Sequence, residues 1–181
     1  MTEEFVQTPP QPEKLGAMTR ENLAAAFAGE SQASQKYLAF SAKADADGKP
    51  NVARLFRAAA FAESTHARNH LSVMGGIGGT LDNIAAAHGG ETFEIDEMYP
   101  AYREVAEMQD NKQAATSVRY AFTAEKDHQS LYAAAKEKVS GGADLDVAPI
   151  RVCPVCGHTI QGDAPDECPV CGTSGSLFRE F

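Results

Sequence analysis

Two Glu-x-x-His motifs constrain this chain more than any other feature of its sequence. Glu63 precedes His66 by three positions, and Glu125 precedes His128 by the same interval. On an α-helix, side chains three positions apart share a face, with Cβ atoms about 5–6 Å apart. A carboxylate and an imidazole presented in this way can bind one metal ion together. The motifs therefore predict two metal-binding helices.

Apolar periodicity and turn residues predict four helices in all. The predicted helices span about residues 19–45, 50–74, 80–109 and 111–139. Thr19, Thr80 and Asn111 are expected to begin or cap three of them, and Pro50 is suited to open the second. Inside the third, Gly89, Gly90 and Pro100 disfavour a regular helix. We therefore expect the local backbone shape near Glu91 to matter more than helix stability.

An internal repeat pairs these helices. Gly29 and Glu30 in the first helix match Gly90 and Glu91 in the third, just as the Glu-x-x-His motif of the second matches that of the fourth. The bundle therefore consists of two similar helical hairpins, each with one Glu helix and one Glu-x-x-His helix. The repeat also identifies Glu91, rather than Glu94 or Glu97, as the counterpart of Glu30.

Four carboxylates and two imidazoles at matching points of two hairpins are typical of the di-metal site of a ferritin-like four-helix bundle. A single Glu-x-x-His is more often a solvated helix face. Here the acids share helix faces with Phe, Tyr and Ala, and buried carboxylates need a neutralising partner. Two divalent cations would neutralise them. Oxygen and imidazole ligands suit iron or manganese, and zinc less exclusively. By spacing alone, Glu94 is either a further inward acid or a surface residue.

The four cysteines form a second candidate metal site near the C-terminus. They occur in two Cys-x-x-Cys-Gly turns, and each turn can direct two thiolates at one ion. The ligands are Cys153, Cys156, Cys168 and Cys171. Tetrahedral sulfur suits iron and zinc alike, so the turns do not choose between a zinc ribbon and an iron site.

Charge and hydropathy limit the partners and the location. A formal net charge of −9 argues against a nucleic-acid partner. No run approaches the roughly 18–20 apolar residues of a membrane span. Residues 1–16 are polar and proline-containing, without the pattern of a signal peptide, so we expect a cytoplasmic protein. We predict a flexible segment at 1–17, the bundle at 18–140, a linker at 141–150 and the cysteine domain at 151–181.

These motifs, in this order, resemble rubrerythrin over about residues 19–181. The likeness includes the residues around Glu30, both Glu-x-x-His motifs, the stretch from Gly90 to Pro100, and the short cysteine domain with Phe178 after its last turn. The resemblance implies an all-α ferritin-like bundle followed by a rubredoxin-like domain. It also implies these bundle iron ligands: Glu30, Glu63, His66, Glu91, Glu94, Glu125 and His128.

The resemblance further implies roles near the irons. In the family, the residue matching Glu94 competes with the one matching His66 for one iron, which moves between them as its oxidation state changes. Tyr37 and Tyr99 match tyrosines that hydrogen-bond ligand carboxylates or bound peroxide, although both could also be core aromatics. Glu97 is not a ligand by this match, and His70, His88 and His158 are expected to be structural or exposed.

The function implied is that of a peroxidase. Such an enzyme reduces hydrogen peroxide to water at the diiron site in oxidative-stress defence, with electrons supplied through one iron at the four cysteines. The partners implied are a rubredoxin or an NAD(P)H-dependent reductase and a second subunit, because family members pair so that each rubredoxin-like site lies near the other subunit's diiron site. The alternatives are a ferroxidase, or a ferritin-like iron-binding protein whose zinc ribbon docks a partner.

Overall fold

The computed structural model of this chain describes residues 14–146 and 148–181. Its helical elements are α1 (Ala17–Ala46), α2 (Pro50–Val73), α3 (Thr80–Phe93), a π-helical segment (Glu94–Met98), α4 (Tyr99–Met108) and α5 (Lys112–Ser140). They belong to two compact units that divide after Gly78. The expected flexible segment and the absence of a signal peptide concern mainly residues 1–13, which lie outside the described residues. Within the described ranges, no helix combines the length and apolarity needed to cross a membrane.

The first unit is the hairpin of α1 and α2. Their interface is built from small residues: Ala53, Ala60 and Ala67 recur at every seventh position of α2 and are buried. On α1, the buried residues are Ser34, Ser41 and Ala44. Small side chains let the two helix backbones approach closely, so this hairpin is held together without large buried residues.

The starts of the helices agree only in part with the sequence. Asn111 caps α5 as predicted, since its side chain accepts a hydrogen bond from the Ala114 backbone N–H at 3.0 Å. Pro50 opens α2, also as predicted. Thr80 begins α3 at the predicted position, but Thr19 and Thr80 are not N-caps, because extended glycines, Gly16 and Gly79, precede α1 and α3. Good helix formers after Gly16 let α1 begin two residues before Thr19.

The predicted third helix is divided by the π-helical segment, and this corrects the expectation of a single helix. The Tyr99 N–H bonds the Glu94 carbonyl, five residues back, where an α-helix would use four. The physical reason is Pro100, which has no N–H and whose ring clashes with the carbonyl four residues before it. The wider turn accommodates that ring, whereas Gly89 and Gly90 stay inside α3.

The second unit contains α3, the π-helical segment, α4, α5 and the C-terminal module. In the module, strands β1 (Ile150–Val152), β2 (Thr159–Gln161) and β3 (Arg179–Glu180) form an antiparallel sheet of order β2-β1-β3. The cysteines form its core, against which Tyr120 of α5 and Phe178 pack. This contact attaches the module to α5 of its own chain.

Candidate metal centre

The first unit brings together one carboxylate from α1 and one Glu-x-x-His motif from α2. The Nδ1 atom of His66 lies 3.3 Å from Glu63 Oε2 and 3.6 Å from Glu30 Oε2. A hydrogen bond between the two carboxyl groups raises the pKa of Glu30 and lowers that of Glu63. The ligand atoms of Glu30, Glu63 and His66 all lie within 4.8 Å of one another, close enough to bind one cation. We call this group half-site 1.

The second unit repeats the arrangement with Glu91 on α3 and the second motif on α5. Here His128 Nδ1 lies 2.8 Å from Glu125 Oε2 and 3.9 Å from Glu91 Oε2. This group, half-site 2, is less exposed than half-site 1: the side chain of His128 is 33% accessible and that of His66 is 54%. The repeat predicted from sequence is therefore confirmed within each unit. In both half-sites it is the Nδ1 atom of the histidine that faces the two carboxylates.

The environment of Glu91 indicates that half-site 2 suits a metal ion. Its Oε2 atom is buried and has no hydrogen-bond partner among the described residues. Burial, followed by the nearby Glu125 carboxylate, raises the pKa of Glu91 to about 8. A buried carboxylate oxygen left without a donor is costly, and a divalent cation would both pair with it and displace its proton. The donor set fits iron.

The π-helical segment positions Glu94 beside half-site 2. Burial and then the Glu125 carboxylate raise the pKa of Glu94. Among the described residues, the ligand atoms that lie within 4.8 Å of one another in half-site 2 are those of Glu91, Glu125 and His128. The role of Glu94 as an iron ligand therefore stays a prediction. Glu97, on the same segment, is exposed.

The two tyrosines singled out from the sequence lie in different units. Burial, followed by the charges of Glu125, Glu94 and Glu91, raises the pKa of Tyr99, so its hydroxyl stays protonated beside these acids. Tyr37 packs against Phe40 and Phe56, with ring centroids 6.2 and 6.1 Å away. Both observations agree with a core aromatic. The roles of the tyrosines in catalysis stay predictions.

The four cysteines converge as the two Cys-x-x-Cys turns predict. Cys153 Sγ is 3.6 Å from Cys171 Sγ, and Cys156 Sγ is 3.5 Å from Cys168 Sγ. Gly157 and Gly172 adopt positive φ angles of 81° and 76°, which only glycine takes without strain. A hydrogen bond between the Cys171 and Thr173 side chains lowers the pKa of Cys171 to about 6, favouring the thiolate that binds metal.

Sequence reasoning missed the contacts among Asp127, His158 and Thr159, which connect the C-terminal module to α5. Asp127 Oδ2 lies 2.6 Å from His158 Nδ1 and accepts a hydrogen bond from the Thr159 backbone N–H at 3.2 Å. These bonds hold the C-terminal module against α5 beside half-site 2. One signal was present, because Asp127 lies inside the second Glu-x-x-His motif where the first has Thr65. His158, expected to be structural or exposed, is structural.

Comparison with protein families identifies the chain. The family model for rubrerythrin matches residues 21–136. The chain belongs to the rubrerythrin family. A second model, for the rubredoxin-like domain of rubrerythrins, matches residues 152–179, which include the two cysteine turns.

Rubrerythrins and nigerythrin are similar to this chain along most of their length. Rubrerythrin-2 of Clostridium acetobutylicum is 36% identical over 179 residues, which cover 91% of this chain and 97% of that protein. Rubrerythrin of Porphyromonas gingivalis is 32% identical, with coverages of 91% and 90%. A solved structure of the fully reduced, all-ferrous state of nigerythrin matches with a TM-score of 0.54 and 29% identity, covering 96% of this chain and 91% of that one.

These matches confirm the ferritin-like fold with a rubredoxin-like domain that the sequence predicts. They also confirm the cofactors of the family, a diiron carboxylate–histidine centre and an iron bound by four cysteines. Rubrerythrins are generally oxidoreductases, and this chain carries the donor groups for both of their metal sites. Each unit by itself holds one group of two carboxylates and one imidazole that could bind a metal ion.

Proposed function

We propose that this rubrerythrin is a peroxidase that reduces hydrogen peroxide to water, with electrons entering through the four-cysteine site. One observation carries the proposal. A hydrogen-bonded connection joins the cysteine module to His128, a residue of half-site 2. A metal site that only stabilised the module, or only docked a partner, would not need this connection.

The connection runs through the side chain of Thr159. Its Oγ1 donates a hydrogen bond to the Gly157 carbonyl at 2.8 Å, and Gly157 directly follows Cys156. The same Oγ1 lies 3.0 Å from His128 Nε2. Because the Thr159 hydroxyl donates its only proton to the Gly157 carbonyl, Oγ1 must accept a hydrogen bond from the Nε2–H of His128. That tautomer leaves the Nδ1 lone pair free to bind metal.

The overall reaction consumes one hydrogen peroxide, two electrons and two protons, breaks the O–O bond and releases two waters. When bound, the diiron centre supplies Lewis acidity and the two electrons, and the four-cysteine iron replenishes them singly. A rubredoxin or an NAD(P)H-dependent reductase provides the external electrons, and the setting is the cytoplasm.

The chain's own acids can hold the protons that the reaction needs. The Glu91 carboxyl, with its pKa near 8 in the metal-free protein, and the protonated hydroxyl of Tyr99 both lie near enough to Glu125 for its charge to raise their pKa values. In the proposed enzyme, Tyr99 and Tyr37 donate hydrogen bonds to peroxide or to ligand carboxylates. With iron bound, Glu94 and His66 would be the residues that exchange as ligands when the oxidation state changes.

Stopped-flow oxidation of the anaerobically reduced protein tests this proposal. We expect stoichiometric peroxide to reoxidise both metal sites much faster than air-saturated buffer does. Equal rates with peroxide and air would contradict peroxidase function. Preferential oxidation of added Fe(II) would favour the ferroxidase. A visible spectrum adds a second criterion, because iron at the four cysteines is red, whereas zinc there is colourless and would favour the docking role.

A further inference from the structure

The helices that carry the two half-sites are held together in different ways. In the first unit, Ala53, Ala60 and Ala67 of α2 are buried and let α1 approach closely. In the second unit, the structure describes every residue of α3, and none of them is buried. Close packing of buried side chains therefore does not fix α3 on α5 as it fixes α1 on α2.

A hydrogen bond between two side chains joins α3 to α5 instead. The Nε2 atom of Gln129 donates to Thr92 Oγ1 at 2.8 Å, and Thr92 Oγ1 donates to the His88 carbonyl, one turn earlier in α3, also at 2.8 Å. Because threonine has one hydroxyl proton and the carbonyl takes it, Thr92 Oγ1 is the acceptor towards Gln129. Both side chains are half-buried, which limits competition from water. We call this pair of bonds the Gln129–Thr92 clamp.

The clamp lies at the level of half-site 2. Gln129 directly follows His128, and Thr92 directly follows Glu91. Since each residue advances a helix by about 1.5 Å, the clamp joins the two helices almost at the height of these two residues. A metal site requires its ligand atoms to be held within about 0.5 Å of their bound positions. A bond that sets the spacing and register of α3 and α5 at this height therefore acts on the geometry of half-site 2.

The internal repeat provides a comparison, because Ser31 and Ala67 occupy the positions of Thr92 and Gln129 in the first unit. Ser31 makes the same local bond as Thr92, donating its hydroxyl to the Phe27 carbonyl at 2.6 Å. Ala67 has no polar side-chain atom, so it cannot donate a hydrogen bond across to α1. The clamp is thus a feature of half-site 2 that its counterpart does not share.

Two other differences also favour metal binding at half-site 2. The Oε2 atom of Glu91 is buried without a hydrogen-bond partner among the described residues, whereas the carboxyl groups of Glu30 and Glu63 in half-site 1 bond each other. A cation therefore gains an unpaired oxygen at half-site 2 but must break a hydrogen bond at half-site 1. The side chain of His128 is also less exposed than that of His66, so less water competes for the ion.

We propose that Gln129 and Thr92 are positioning residues that hold half-site 2 ready for metal, so that an ion binds there before one binds at half-site 1. Ligands that are already in place lose less conformational freedom on binding, and this raises their affinity. Neither residue contacts the ion, and both act through Glu91 and His128. The proposal rests on the family's diiron centre and does not depend on peroxide being the substrate.

A Zn²⁺ titration followed by NMR tests the order of binding. The four-cysteine site is filled with Zn²⁺ first, and isotope-labelled histidine lets the ring nitrogens of His66 and His128 report the two half-sites separately. The His66→Gln and His128→Gln proteins assign the two signals. In the wild-type chain we expect the Nδ1 signal of His128 to shift at lower Zn²⁺ than that of His66.

Two variants remove the clamp while nearly keeping side-chain volume: Gln129→Leu takes away the donor, and Thr92→Val takes away the acceptor. In each, we expect the Zn²⁺ affinity measured at His128 to fall about five- to tenfold, which is the effect of one hydrogen bond. The combined variant should lose no more than either alone, because both changes break the same bond.

Thr92→Ser keeps the hydroxyl and should restore the wild-type affinity at His128. Ser31→Ala is the matched control from the repeat, and it should leave the affinity at His128 unchanged. The proposal would be overturned if His66 shifted with or before His128 in the wild type. It would also be overturned if the clamp variants lowered the melting temperature but not the Zn²⁺ affinity at His128, since the clamp would then be structural only. Zn²⁺ binding does not measure turnover, so failure of the peroxidase assignment shows only in the stopped-flow rates.

Discussion

His128 Nε2 lies 3.0 Å from Thr159 Oγ1, so a histidine of the diiron ligand set also contacts the module that holds the four cysteines. Asp127, which precedes His128 on α5, is hydrogen-bonded to His158 and Thr159 of the C-terminal module. One turn of α5 therefore carries both a residue of half-site 2 and the anchor of the C-terminal module. Consecutive helical residues point in different directions, so one segment can serve both sites.

Replacing Thr159 with valine should slow electron transfer between the two metal sites. The change removes the acceptor for His128 Nε2–H while keeping the side-chain volume. Mutating the hydrogen-bond partner of a metal-binding histidine typically lowers metal affinity or activity by about 10–100-fold. We expect the four-cysteine iron to stay reduced about tenfold longer after peroxide oxidises the diiron site, as followed in the visible spectrum. Thr159→Ser keeps the hydroxyl and should restore the wild-type rate.

Replacing Asp127 with alanine should loosen the module from α5. Hydrogen bonds to a charged group contribute about 1.5–3 kcal/mol, and Asp127 accepts two of them. We expect faster proteolysis in the 141–150 linker, with both metal sites still loaded. Asp146→Ala is the control, because its ion pair with Lys138 is exposed and worth little. Equal proteolysis of the two variants would contradict the role of Asp127.

Replacing Glu94 with alanine should leave two irons in each diiron site but remove much of the peroxide rate. The carboxylate is expected to bind one iron only after oxidation, because ferric iron favours oxygen ligands. Iron analysis and stopped-flow oxidation measure the two effects separately. Glu97→Ala provides the matched control on the same π-helical segment, and its kinetics should be those of the wild type. Unchanged kinetics in Glu94→Ala would make Glu94 a structural acid.

Metal binding to the bundle should release a proton from Glu91 below pH 8. In the metal-free protein the pKa of this carboxyl is raised to about 8, from an ordinary value of 4.5. The folded state therefore binds this proton more tightly than the unfolded chain, and that contribution to stability is present below about pH 4.5 and lost as the pH rises towards 8. Metal affinity changes in the opposite sense and rises with pH over this window.

Calorimetric titration in buffers of different ionisation enthalpy can count the protons released. At pH 6.5, with the four-cysteine site already filled, the Glu91→Ala protein should release about one proton fewer than the wild type as it binds metal. The same count in both proteins would show that Glu91 is ionised before metal arrives.

The sequence alone determined the helices, the repeat and the ligand types, because these depend on interactions between residues close in the chain. Glu63 and His66 share a helix face whatever surrounds them, and a Cys-x-x-Cys-Gly turn can converge its thiolates by local geometry. For the π-helical segment, the sequence signal was Pro100, which indicates an interruption of the helix but not its type. Sequence reasoning recognised that the backbone near Glu91 would be irregular, but it did not recognise the form that irregularity would take.

Tertiary structure alone decided which groups support these ligands. The contacts of Asp127, His158 and Thr159 join positions more than thirty residues apart, and no periodicity or spacing in the sequence relates them. The raised pKa of Glu91 likewise depends on burial by other helices, which the sequence does not specify position by position. Local patterns identify the groups that can bind metal, whereas packing over long sequence separations decides their protonation and their contacts with the C-terminal module.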